Sequence, residues 1–152
     1  MKNTVLGIDI SKKELYYSDS SGETSGIILN DNKGFRKLVS IFKKGGFKMM
    51  AMEATGGYER NLLLYLHQRD LPAALLEPSR VRNHAKGAGF LAKTDKIDAV
   101  MIAHFTQCHD PRLVQMPSKL HRELRELNHR RGQLVKMTVM EKTRLEKLSI
   151  GR

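Results

Sequence analysis

The stretch VLGIDISKKELYYSDSSGETSGIIL, Val5 to Leu29, decides the fold, because it holds three apolar runs separated only by short links. Val5 to Ile10 (VLGIDI) is compact and apolar, as a buried strand is. Glu14 to Ser18 (ELYYS) and Ser25 to Leu29 (SGIIL) read as two more strands, with the turn cluster Asp19-Ser20-Ser21-Gly22 between them. Three neighbouring strands with such links suggest an antiparallel meander.

Beyond Leu29 the period changes. Asn32 opens a helix in which Phe35, Leu38, Val39 and Phe42 follow the i, i+3, i+4, i+7 pattern, and Gly45-Gly46 ends it. Phe47 to Met52 reads as a fourth strand. A second helix after Gly56-Gly57 carries Leu62, Leu63, Tyr65 and Leu66, and Ala73 to Leu76 is a short fifth strand. Ser79 to Lys93 is basic and holds Gly87 and Gly89, so it reads as a loop or a broken helix. From about Thr94 a helix runs toward Phe105. Helical crossovers demand parallel strands. The order therefore predicts an α/β fold, a mixed five-stranded sheet flanked by helices. That is the ribonuclease H-like layout, in which the first and fourth strands lie side by side.

Pro111 and Pro117 bracket a short linker. The expected division is residues 1–110 as a first domain, 111–117 as linker and 118–152 as a helical segment. In that segment Leu120, Leu124, Leu127, Leu134, Leu145 and Leu148 fall on a 4-3 spacing, with Arg131, Thr138 and Glu141 in the intervening seam positions. This imperfect heptad predicts a long coiled-coil-like helix that mediates homo-oligomer formation. The alternative is an amphipathic helix folded back on the domain.

The 152 residues carry 27 Lys+Arg against 16 Asp+Glu, a net charge of +11. Such an excess favours an anionic partner, most simply nucleic acid. The lone Cys108 excludes an internal disulfide, fits a reducing compartment and reads as a structural thiol. There is no signal-peptide pattern, and no apolar run approaches the roughly 20 residues of a membrane span. A soluble, intracellular protein is expected.

Four carboxylates carry the candidate chemistry. Asp9 sits inside the most apolar strand, where an ionised carboxylate is costly without a cation or a metal; the bland alternative is a strand-end turn cap with Ser11. Glu53 follows the apolar MMAM run and lies next to Asp9 in the predicted sheet. Asp95 and Asp98, in KTDKIDAV, are three residues apart, so a helix places both on one face. They also suit a helix start, Asp95 as N-cap and Asp98 at N3. Convergence of all four at the sheet edge would make a site for Mg²⁺ or Mn²⁺, hard ions that prefer oxygen ligands. Two such ions can support phosphodiester chemistry. Lys12, Lys13, Arg60, Arg80, Arg82, Lys86, Lys93 and Lys96 would hold the polyanion. Thr55, Gly56 and Gly57 allow close backbone approach, the following helix start can receive a phosphate, and Tyr58 can stack on a base. CxxC, HExxH and Walker motifs are missing, and the six histidines, among them His67, His84, His104 and His121, show no ligand spacing.

GIDISKK (Gly7 to Lys13), MEATGGYER (Met52 to Arg60) and KTDKIDA (Lys93 to Ala99) together resemble the DEDD transposases of the insertion sequence 110 family. EPSRVRNHAKGAGFLAKTD and the later RGQLVKMTVMEKTRLEKL also resemble it, so the likeness runs over nearly all of the chain. It implies a RuvC-like, ribonuclease H-type domain with the acidic tetrad at Asp9, Glu53, Asp95 and Asp98. It also implies Mg²⁺ at the tetrad, recombination of DNA in the cytoplasm at the nucleoid, and guidance by a structured RNA; relatives include site-specific DNA invertases. Ser11 lies within the first motif and joins the candidate backbone contacts. The family carries a second domain with a serine implicated as nucleophile. No serine here matches that motif, so a fragment of a longer protein is expected.

Other classes make different demands. A stand-alone Holliday-junction nuclease would cut four-way junctions unaided. A non-catalytic RNA-binding module would bind RNA without a metal site. An actin-like sugar kinase or ATPase needs two duplicated halves and a Gly-rich first hairpin, where this chain reads SKKE.

Overall fold

The computed structural model describes residues 5–90, 94–115 and 119–149. They fall into two compact units, Met1–Met116 and Pro117–Arg152. In the first, β1 (Val5–Ile10), β2 (Glu14–Ser18) and β3 (Ser25–Leu29) form the meander. Then come α1 (Asn32–Lys44), β4 (Met49–Glu53), α2 (Arg60–His67), β5 (Ala73–Leu76), α3 (Pro78–Gly87) and α4 (Asp95–His109). The sheet order is β3-β2-β1-β4-β5. β1 pairs antiparallel with β2 and parallel with β4, and β4 pairs parallel with β5. This is the mixed, RuvC-like ribonuclease H arrangement, with the first and fourth strands adjacent.

Alternation along the strands sorts residues onto two faces. Leu6, Ile8 and Ile10 of β1 with Met50 and Met52 of β4 pack in one core with Phe35, Leu38 and Phe42 of α1 and Leu62, Leu63 and Leu66 of α2. Leu6, Ile8, Leu38, Leu62 and Leu66 are fully buried, each stabilising by about 2 kcal/mol. On the other face Val5, Ala51, Ala74 and Leu76 pack in a second core with Val81 of α3 and Met101, Ile102, Ala103 and Phe105 of α4. Small residues set the spacing there. A β-carbon on Gly7 would overlap the Ala99 carbonyl oxygen and stand 2.6 Å from the Ala103 nitrogen. Only glycine lets α4 lie this close on β1.

Three local expectations change. The fourth strand begins at Met49; Phe47 instead packs against Phe42, its ring 6.4 Å away. The segment read as a loop or broken helix contains a continuous helix over Pro78–Gly87. Pro78 starts it at a position where a missing N–H costs nothing. Its one buried residue is Val81, so no apolar period advertised it. Asp95 is not the cap of α4. Thr94 is, its hydroxyl accepting from the Ile97 N–H at 3.3 Å.

The second unit is α5 (Lys119–Ser149), one helix of 31 residues that runs through Gly132. Leu120, Leu124, Leu127, Leu134, Leu145 and Leu148 are all exposed on it. The seam residue Thr138 turns its hydroxyl back onto the Leu134 carbonyl at 2.9 Å, which satisfies it within the helix. Among the described residues no helix is long and apolar enough to cross a membrane.

Candidate metal centre and nucleic-acid interface

The site grows from the β1–β4 register. Ile8 pairs with Met52, so Asp9 and Glu53, the next residues on two parallel strands, emerge together at the C-terminal ends. Asp9 shares the face of Gly7, two residues back, on which α4 lies. The contact of Gly7 with Ala99 brings the first turn of α4 over Asp9, because Asp98 immediately precedes Ala99. Carboxylate oxygens of Asp9, Asp95 and Asp98 consequently lie within 4.8 Å of one another. Asp9 and Asp98 are half-buried and Asp95 is exposed. Thr94 carries the cap, so the two α4 acids sit in the first turn without supplying the capping hydrogen bond, and the positive helix terminus favours both.

Glu53 lies outside this three-residue cluster but lines the same cleft, a space of ≈ 580 Å³. Ser11, Thr55, Arg82 and Lys86 line it too, with apolar walls from Pro78, Val81, Phe90, Ile97 and Met101. Arg82 and Lys86 lie one helical turn apart on α3 and are exposed. An all-oxygen donor set facing two cations suits a hard divalent ion together with a phosphodiester.

The remaining basic residues scatter. Lys12 and Lys13 are exposed in the β1–β2 turn, Arg60 opens α2, and Lys96 is exposed on α4. The Arg80 guanidinium sits 5.5 Å from the centre of the Phe105 ring and does not line the cleft. Lys93 lies outside the described residues. The Ser11 hydroxyl works in its own turn, donating to the Glu14 carbonyl at 3.0 Å and accepting from the Glu14 N–H at 3.1 Å.

The loop after β4 holds a residue that the sequence reading passed over. Glu59 Oε2 accepts from the N–H of Thr55 (3.1 Å), the Thr55 hydroxyl (3.2 Å) and the N–H of Gly57 (2.9 Å). Burial pushes its carboxyl up, but the hydrogen bonds together outweigh burial and hold it below the usual glutamate range. Two of the amides that looked ready for a phosphate thus serve an internal carboxylate. Gly56 and Gly57 take φ of 69° and 111°, which the loop needs in order to fold back on Glu59. Tyr58 is left 48% exposed beside the site. Asn30 ties this loop to the β1–β2 turn, donating to the Ser11 carbonyl at 2.8 Å and the Tyr58 carbonyl at 3.5 Å. A Glu six residues after Glu53, beyond two glycines, was the visible signal.

Residues 6–148 match a family model described as a transposase, of the DEDD insertion sequence 110 type. The chain belongs to this transposase family. Two pilin gene-inverting proteins, from Moraxella lacunata and Moraxella bovis, are each 29% identical to it over 160 aligned positions. The alignments cover 99% of this chain and 48% of each relative, so this transposase domain spans about half their length. It is an enzyme domain of RuvC-like type with an acidic cluster suited to a divalent metal.

Proposed function

We propose that the chain is the metal-binding, strand-cleaving part of a DNA recombinase, with Asp9, Glu53, Asp95 and Asp98 as ligands of Mg²⁺ or Mn²⁺. The observation that carries this reading is the meeting of Asp9 from a strand with Asp95 and Asp98 from a helix, within 4.8 Å, in a cleft that Glu53 also lines. Bound there, the ion would activate an attacking oxygen and stabilise a leaving one. Arg82 and Lys86 hold the phosphodiester against the acids. Gly56, Tyr58 and Arg60 contact the strand from the loop whose shape Thr55 and Gly57 hold through Glu59, and Ser11, Lys12, Lys13 and Lys96 supply further contacts. Arg80 adds a further cation on α3, and Lys93, outside the described residues, is a candidate contact by its place in the third motif.

The names of the two relatives point to DNA inversion as the reaction of the whole protein, and the family resemblance adds a structured RNA as guide. The exposed leucines of α5 support self-association. Titration calorimetry with Mg²⁺ or Mn²⁺ on the wild type and on Asp95→Asn/Asp98→Asn tests the centre. One saturable binding event in the wild type and none in the variant is expected; equal affinity in both rejects the reading.

A further inference from the structure

A second cluster lies on the same two helices, away from the acidic cleft. His104 and Cys108 are four residues apart on α4, so they share a face. His84 reaches them from α3. His84 Nε2 stands 2.9 Å from His104 Nδ1, and Cys108 Sγ stands 3.9 Å from that same nitrogen. One ligand atom from each residue lies within 4.8 Å of the other two. In the sequence the histidines show no ligand spacing and Cys108 reads as a structural thiol. The structure brings two histidines and the thiol together, and Cys108 is exposed.

We propose that His84, His104 and Cys108 form a site for a borderline-soft transition-metal ion, Zn²⁺ in the first instance, that clips α3 to α4. Around a tetrahedral Zn²⁺, two ring nitrogens lie about 3.3 Å apart and a nitrogen and a thiolate sulfur about 3.6 Å apart. The two separations at His104, 2.9 and 3.9 Å, lie within a few tenths of an ångström of these values, and the His84–Cys108 separation is within 4.8 Å, so a turn of the Cys108 side chain closes the set. Two imidazoles and a thiolate suit Zn²⁺ and disfavour Mg²⁺, so the two centres take different ions. The exposure of Cys108 leaves the fourth position to water. Packing fixes the rings: His84 lies edge-on to Phe105 with centroids 5.5 Å apart, and Phe105 stacks on His109 at 4.3 Å. The consequence for the first site is positional. Arg82 and Lys86 ride on the same helix as His84, and Asp95 and Asp98 on the same helix as His104 and Cys108. A metal joining the helices would fix the cations relative to the acids.

Cobalt(II) is the probe, added to the metal-free 152-residue chain. The expected result is a near-ultraviolet thiolate-to-cobalt band with the visible bands of a tetrahedral ion, both saturating together as this one site fills; cobalt taken up by the acidic centre adds no thiolate band. Cys108→Ser, at an exposed position, should abolish the thiolate band and weaken binding by at least about tenfold. Asp95→Asn/Asp98→Asn should keep both. Because Cys108 is the only cysteine, iodoacetamide labelling reads this site alone, and stoichiometric Zn²⁺ should protect it. Absence of the band in the wild type, a band that survives in Cys108→Ser, its loss in the aspartate variant, or labelling indifferent to Zn²⁺ each overturns the proposal. Calorimetry with Mg²⁺ is independent of Cys108, so the acidic centre and this one fail separately.

Discussion

Gly7 and Ala99 touch backbone to backbone: a β-carbon on Gly7 would overlap the Ala99 carbonyl oxygen. That contact joins the strand that carries Asp9 to the helix that carries Asp98. Gly7→Ala must push α4 outward, because the obstruction is main chain and cannot rotate away. The expected cost is about 1–3 kcal/mol, the usual range for overpacking, together with weakened divalent-ion binding. Chemical denaturation and Mg²⁺ titration on the same sample check both. Full stability in Gly7→Ala would show that α4 does not rest on β1 there.

Carboxylate oxygens of three aspartates lie within 4.8 Å of one another, and a divalent cation among them relieves their mutual repulsion. Asp98→Asn is therefore expected to remove the stabilisation that divalent ions confer, while its metal-free stability changes by less than that, because relief of repulsion and loss of the favourable helix terminus oppose each other. An ion at one hundred times its dissociation constant stabilises by about 2.7 kcal/mol. Thermal unfolding with and without Mg²⁺ separates the two effects. A variant destabilised equally in both conditions would assign Asp98 a packing role alone.

Glu59 makes a prediction in pH. Its carboxyl lies below the ordinary range in the folded chain because its three acceptor hydrogen bonds outweigh burial. A group depressed on folding stabilises above its unfolded value and loses that contribution as pH falls through its folded value. Glu59→Gln is expected to lose about 1 kcal/mol near neutrality, because a neutral amide oxygen accepts the same hydrogen bonds less strongly than a carboxylate. The gap between wild type and variant should close under acid. Denaturation curves from neutral to acidic pH measure it, and a gap independent of pH would remove the charge from the explanation.

The strands were legible because apolar runs and turn clusters are local signals, and the crossovers then fixed the sheet order. The helix over Pro78–Gly87 was not, because it buries only Val81 and so shows no apolar period. The start of α4 was misplaced by one residue, since Thr94 and Asp95 are both good caps. Asp9, Asp95 and Asp98 were legible as candidates by their settings, but their meeting depends on the Gly7 contact, which is long-range. His104 and Cys108 carried a readable four-residue spacing; His84 comes from another helix, and no local pattern could join it to them.

Arg82 and Lys86 line the acidic cleft, whereas Lys37 and Lys44 belong to α1, across the sheet. If the cleft holds a nucleic-acid backbone, Arg82→Ala and Lys86→Ala should each weaken DNA binding and reduce the slope of log affinity against log salt by about 1. Lys37→Ala and Lys44→Ala should leave the slope unchanged. Fluorescence anisotropy over a salt series reads this. Equal losses at all four positions would mean that the net charge of the chain binds the polyanion without a groove.

The α5 helix exposes Leu127 at 67% and Leu134 at 48%, on a 31-residue element. An isolated helix in water gains little from propensity alone, so packing of its apolar face must contribute. On the proposed self-association a second copy would supply a complementary heptad, and Thr138 would cost the seam little because its hydroxyl bonds its own helix. Sedimentation equilibrium of the 152-residue chain is expected to show concentration-dependent self-association. Leu127→Glu/Leu134→Glu would place like charges in the seam and shift the chain to monomer, with the folded first unit unaffected. Self-association unchanged in that variant would move the interface off the leucine seam.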